Sequence, residues 1–244
     1  MTPAIEKRAL AKELQAKINA IQGLGKLSGE PAIAQLSPFN SAFPSGSFPI
    51  GVIHEFVSYE PAHAASTNGF ITAIAAKIIK EGGLCLWVGS KKDIFPLGVK
   101  HFGLEPDRIV FIHTQKHKDK LWIIEEALKC DALSIVISEM TALSFTESRR
   151  FQLAVERSGV TGFIHRFAPI TENAVACTTR WKIIPIPSHA IDGLPGIGSI
   201  AWDVQLLKVK NGRPNSWQVS WMNQRFIPIS KQNISIPLYE RHTG

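Results

Sequence analysis

The chain predicts an α/β fold: a mostly parallel sheet flanked by helices, with antiparallel strands added on its C-terminal side. Two observations carry that expectation. Short runs that are apolar throughout, such as Leu84–Val88 (LCLWV) and Leu133–Ile137 (LSIVI), recur between amphipathic stretches. That is the pattern of strands buried on both faces by crossover helices. After Thr179 the helical periods stop, and strand-like runs follow one another as they do in hairpins.

Taken in order, Pro3 to Gln22 reads as an amphipathic helix, with Leu10, Leu14, Ile18 and Ile21 spaced by three or four on one face. Such a face either packs on its own domain or docks on another chain. Gly23-Leu24-Gly25 ends the helix, and the Ser/Pro/Gly-rich stretch from Ser37 to Pro49 reads as a linker. Strands are expected at Val52–Val57, Leu84–Val88, Arg108–His113, Leu133–Ile137 and Thr161–His165. Helices are expected at Ser66–Lys80, Phe95–Phe102, Lys118–Lys129 and Ser144–Arg157. Thr179–Ile186, Trp202–Lys210 and Ser216–Trp221 then form the antiparallel extension, with Asn211-Gly212 as a turn. The expected organisation is a helix and linker over residues 1–48, a core domain over 49–224 and a tail over 225–244.

A chain of 244 residues with 45% hydrophobic and 19% charged residues has the balance of a globular protein. No apolar run approaches the roughly 20 residues that span a bilayer, and the N-terminus lacks a secretory pattern. Cys85, Cys130 and Cys177 are far apart and read as small buried hydrophobes rather than metal ligands or disulfide halves. A cytoplasmic location is therefore expected. The net charge of +7 favours a polyanionic partner.

In a parallel sheet, ligands sit beyond the carboxyl ends of the strands. The first such loop, Ser58 to Asn68 (SYEPAHAASTN), stands where GxxxxGK[ST] would cradle phosphates, yet it has no glycine before Gly69 and no lysine before Lys77. Ser66 and Thr67 are the candidate remnants of the magnesium-holding hydroxyl, and they also suit an ordinary helix N-cap. At the end of the LSIVI strand an ATPase would carry an aspartate, but Ser138 and Glu139 stand there. A carboxylate shifted by one residue points to the other face of the sheet. No catalytic residue and no metal site are therefore assigned, and no cofactor is expected; ATP would have to bind through Ser66, Thr67, Ser138 and Glu139. Positive charge gathers at Lys116, Lys118 and Lys120, and at Arg180, Lys182, Lys208, Lys210 and Arg213 among four tryptophans. The second group is the candidate DNA-binding edge, by stacking and backbone neutralisation, set against the plainer reading of buried tryptophans and solvated lysines.

With these residues in hand, the order of features resembles the RecA superfamily and, within it, the ImuA family. The segments that carry the resemblance are Gly98–Thr114 (GVKHFGLEPDRIVFIHT) and Cys130–Gly159, which includes the Ser148-Arg149-Arg150-Phe151 helix. To these are added Thr178–Ile183 (TTRWKI) and Trp202–Trp221 (WDVQLLKVKNGRPNSWQVSW). The resemblance covers roughly Gly51 to Trp221. It implies a RecA-like core and an accessory factor of damage-induced mutagenesis. The implied partners are ImuB, a Y-family polymerase homologue without catalytic residues, and an error-prone replicative-type polymerase. RecA and single-stranded DNA are further candidate partners, as is a second copy of the chain, and no membrane is implied. Leu10, Leu14, Ile18 and Ile21 are the candidate docking residues, beside the tail from Arg225. Two alternatives stand beside this reading: a RecA-like ATPase that binds single-stranded DNA, and a cell-division inhibitor of the SulA type.

Overall fold

The computed structural model describes residues 36–79, 83–90, 96–171, 173–188 and 198–229. In chain order the strands are β1 (Ile53–Ser58), β2 (Cys85–Gly89), β3 (Ile109–His113), β4 (Ile135–Met140), β5 (Thr161–Phe167), β6 (Thr179–Ile186), β7 (Ile200–Val209), β8 (Asn215–Met222) and β9 (Arg225–Pro228). The helices are α1 (Pro61–Ile78), α2 (Pro96–His101), α3 (His117–Lys129) and α4 (Phe145–Ser158). Among the described residues, all nine strands join one sheet in the order β3-β2-β4-β5-β1-β6-β7-β8-β9. Pairing is parallel from β3 through β6 and antiparallel from β6 to β9. This mostly parallel sheet with helices on both faces and an antiparallel extension agrees with the RecA-like fold expected from the sequence.

Strand alternation sorts the apolar side chains into two layers. Beneath α1, Phe70, Ile71 and Ile74 meet Phe56, Ile137, Phe163 and Trp181 of the sheet. Beneath α3 and α4, Ile124, Leu128, Phe151 and Val155 meet Ile53, Val136 and Ile164. Gly69 lies inside α1 because a side chain there would run into the Phe102 ring. At α4, the Ser144 hydroxyl accepts from Glu147 N, and the Glu147 carboxylate accepts from Ser144 N at 2.7 Å. This reciprocal cap closes the first turn.

Several expectations are revised. Residues 37–49 are not a free linker. Phe39 is fully buried and sets its ring edge-on to Phe70, Trp181, Trp217 and Phe226 at 5.1–6.0 Å. Leu36, Ala42, Phe43 and Phe48 are buried beside it. The Ser/Pro/Gly composition hid a few aromatic side chains, each of which buries some 150–250 Å². Gly212, in the β7–β8 turn, is the floor of this contact. A Cβ there would collide with the Ala42 carbonyl, while Arg213 N donates to that same oxygen at 3.2 Å. From the stretch read as tail, Arg225–Pro228 adds β9 to the sheet. Cys85 and Cys177 are buried as expected, but Cys130 is exposed at the end of α3. The N-terminal helix with Leu10, Leu14, Ile18 and Ile21 lies outside the described residues.

Candidate functional site

The strand-to-helix junction after β1 is shorter than expected. Helix α1 starts at Pro61, not near Ser66, because proline suits the first helical position, where its missing N–H is no loss. Only Tyr59 and Glu60 separate β1 from α1, and Glu60 sits at the N-cap without a side-chain cap bond. A phosphate-binding loop needs several residues of curled backbone with glycines. Here those positions are already helical, and a carboxylate stands at the positive end of the helix.

Ser66 and Thr67 fall inside the helix, in its second turn. Thr67 is fully buried, and its hydroxyl is 2.8 Å from Ser58 Oγ. Ser58 Oγ is in turn 3.0 Å from His165 Nε2, and His165 Nδ1 is 2.9 Å from Asn68 Oδ1. One consistent arrangement has Thr67 donating to Ser58, Ser58 to His165, and His165 to Asn68. Burial holds His165 neutral, its pKa lowered to about 4. The hydroxyl that a magnesium ion would use thus closes a chain between β1, β5 and α1.

The two residues at the end of β4 face opposite layers. Ser138 shares its strand face with Val136 and Met140, under α3, and is buried. Glu139 turns the other way and accepts from Trp87 Nε1 at 3.2 Å. The structure therefore does not gather Ser66, Thr67, Ser138 and Glu139 around one point.

Charge chemistry lies instead in the middle of the sheet, which sequence reasoning missed. Glu55, fully buried on β1, accepts from Arg166 Nη1 of β5 at 2.9 Å and from Arg180 Nε of β6 at 2.6 Å. Arg166 Nη2 also donates to Thr171 O and Asn173 Oδ1, and Arg180 Nη2 donates to Asn173 O. Lys208, cross-strand from Arg180, donates to Val175 O at 3.2 Å. These bonds pin Thr171, Asn173 and Val175 over β5, β1 and β6. A glutamate and two arginines more than a hundred residues away along the chain give no local signal for such a cluster.

Three of the candidate DNA-binding residues fall on the far side of the extension from its tryptophans, and two in a turn. Trp181, Trp202 and Trp221 are buried against α1 and the 36–49 segment, and Trp217 packs partly against the same core. Arg180, Lys182 and Lys208 point to the other face, where Lys182 Nζ lies 5.4 Å from the centre of the Tyr59 ring. Lys210 and Arg213 occupy the β7–β8 turn. The tryptophans thus serve the core, and Arg180 is neutralised by Glu55. Lys182, Lys208, Lys210 and Arg213 remain as the cationic edge.

Among the described residues no group of three or more His, Cys, Asp or Glu is placed to hold a metal ion, and no helix is long and apolar enough to cross a membrane. No family model matches the chain. Protein ImuA of Caulobacter vibrioides, in each of two strains, is 29% identical over 201 residues, covering 78% of this chain and 80% of that protein. The similarity runs through most of both chains and, with the RecA-like sheet described above, supports membership of the ImuA family.

Proposed function

We propose that the protein is a non-catalytic, RecA-like accessory factor of DNA-damage-induced mutagenesis. In this reading it joins an ImuB-like polymerase homologue and an error-prone replicative-type polymerase during translesion synthesis, in the cytoplasm. The similarity to protein ImuA supports the process. The observation that carries the non-catalytic part is the two-residue junction between β1 and α1. Without a loop there, backbone amides have no curl in which to wrap a triphosphate, and the Thr67 hydroxyl is engaged with Ser58. Phosphoryl transfer depends almost wholly on such positioning and charge neutralisation.

The test is recovery of partners from a DNA-damaged native host, using the full chain and a chain that lacks residues 1–35. The truncation must stop before Leu36, because Leu36 and Phe39 belong to the core. Recovery of a Y-family-like polymerase subunit by the full chain is expected, with loss on truncation if Leu10, Leu14, Ile18 and Ile21 dock it. Saturable ATP hydrolysis by the purified chain, with or without single-stranded DNA, would overturn the non-catalytic reading.

A further inference from the structure

At the carboxyl ends of β2, β4 and β5, beside the first turn of α3, lies a cavity of about 330 Å³. Its polar wall is made by Ser90, Gln115, His117, Lys120, Glu139 and Thr141, and its apolar wall by Met140 and Phe167. That volume lies in the range of small-molecule sites, which combine apolar walls with a few placed polar groups.

Lys120 is the unusual member. Only 4% of it is exposed, and its ammonium donates to Ser90 Oγ and to the Glu139 carbonyl, each at 2.6 Å. An ammonium has three N–H donors, so one is left over. Among the described residues no carboxylate lies within ion-pairing distance of it. Glu139 acts on it only at longer range, with its own Oε1 turned to Trp87. Burial pushes the Lys120 pKa below the ordinary lysine range, with the Glu139 charge opposing. A desolvated cation without a close counter-charge is costly to hold, so its place in a cavity wall points to an anion.

The local helix end repeats the message. The N-cap of α3, Lys116, makes no side-chain cap bond. Lys116, His117, Lys118 and Lys120 crowd the positive end of the helix dipole against a single first-turn acid, Asp119. His117 is 3.5 Å from the carboxylate of Glu147, which is not part of the cavity lining, so that carboxylate is matched by His117 and not by Lys120. Free backbone N–H groups at a helix start together with a lysine point charge are a phosphate-binding combination.

We propose that this cavity binds a phosphate group carried by a nucleotide-sized ligand, with Lys120 and the first turn of α3 holding the phosphate and Phe167 and Met140 covering the apolar remainder. The site is separate from the vacated loop at β1–α1, and it requires neither hydrolysis nor the mutagenesis reading. Two sources share this chemistry: a free nucleotide, and the phosphorylated 5′ end of a nucleic-acid strand.

The test uses the full chain and calorimetric titration with inorganic phosphate, AMP, ATP, and one short oligonucleotide with and without a 5′ phosphate. Saturable binding of at least one phosphate ligand is expected, weakened about tenfold or more by Lys120→Met and several-fold by His117→Ala. Tighter binding of AMP than of inorganic phosphate assigns the free nucleotide. A preference for the 5′-phosphorylated over the 5′-hydroxyl strand, with AMP no better than phosphate, assigns the strand end. His117 is half-exposed, so its variant folds and decides the matter if Lys120→Met does not. No saturable binding by any of these probes, or binding unchanged in the folded variants, would mean that Lys120 only caps the strand ends, and would overturn the proposal.

Discussion

Arg166 Nη1 donates to Glu55 Oε1 over 2.9 Å inside the sheet, with both side chains sealed from water. Arg180 completes the cluster from the next strand. Two guanidiniums depend on one carboxylate, so the carboxylate is the vulnerable member. Glu55→Gln is expected to destabilise the fold by about 3–5 kcal/mol, the cost of leaving a buried charge uncompensated. Urea denaturation of the variant measures this directly. A loss below about 1 kcal/mol would show that water or the loop carbonyls carry the arginines instead.

Acid should loosen the protein by a specific route. His54 sits between Thr179 Oγ1 at 2.7 Å and the Pro49 carbonyl at 2.9 Å, and since a carbonyl only accepts, His54 Nε2 donates to Pro49 and Nδ1 accepts from Thr179. Burial lowers its pKa from the usual 6.5 to about 3, against the opposing Pro49 bond. The unfolded chain therefore binds a proton that the folded chain refuses between those values. Stability from His54 is complete above about pH 6.5 and is lost as pH falls toward 3, by at most about 1.4 kcal/mol per pH unit. His165, lowered to about 4, adds to the slope over its own window. Denaturation curves between pH 7 and 4.5 should show this decline, shallower in His54→Gln.

The aromatic plug is open to a simple substitution. Phe39→Ala removes a fully buried ring that touches four others. It should cost about 3–5 kcal/mol, read as a drop in the thermal midpoint. If residues 36–49 were a mere tether, the midpoint would not move.

Nucleic-acid binding at the cationic edge has its own signature. Replacing Lys208, Lys210 and Arg213 together with alanine should weaken single-strand affinity equally for all sequences. It should also lower the salt-dependence slope by about 0.7 for each phosphate that is no longer neutralised. Equal affinity and slope in filter binding would remove this edge from consideration.

The sheet is largely legible in the sequence because its strands are continuous apolar runs between periodic helices. The expected strand Thr179–Ile186 matches β6 to the residue, and the neighbouring strands agree within one to three. What escapes depends on residues far apart in the chain. Pro61 opens α1 although a proline between two elements reads as loop. Phe39, Phe43 and Phe48 look like isolated apolar residues among serines and prolines until Trp181 and Phe226 arrive beside them. That no glycine-rich loop follows β1 is legible in the absence of glycine and lysine from Ser58 to Asn68, whereas the Glu55 cluster and the Lys120 wall need the fold itself.

The seat of Phe39 also decides how the molecule bears load. A pull applied at Leu36 finds no slack in residues 36–49. Tension passes at once into a plug wedged under β6, β7 and β8 and tied by Arg213 N to the Ala42 carbonyl. Pulled along the strands, such a plug resists in shear, so force on residues 36–49 would be felt by the sheet as mechanical stress.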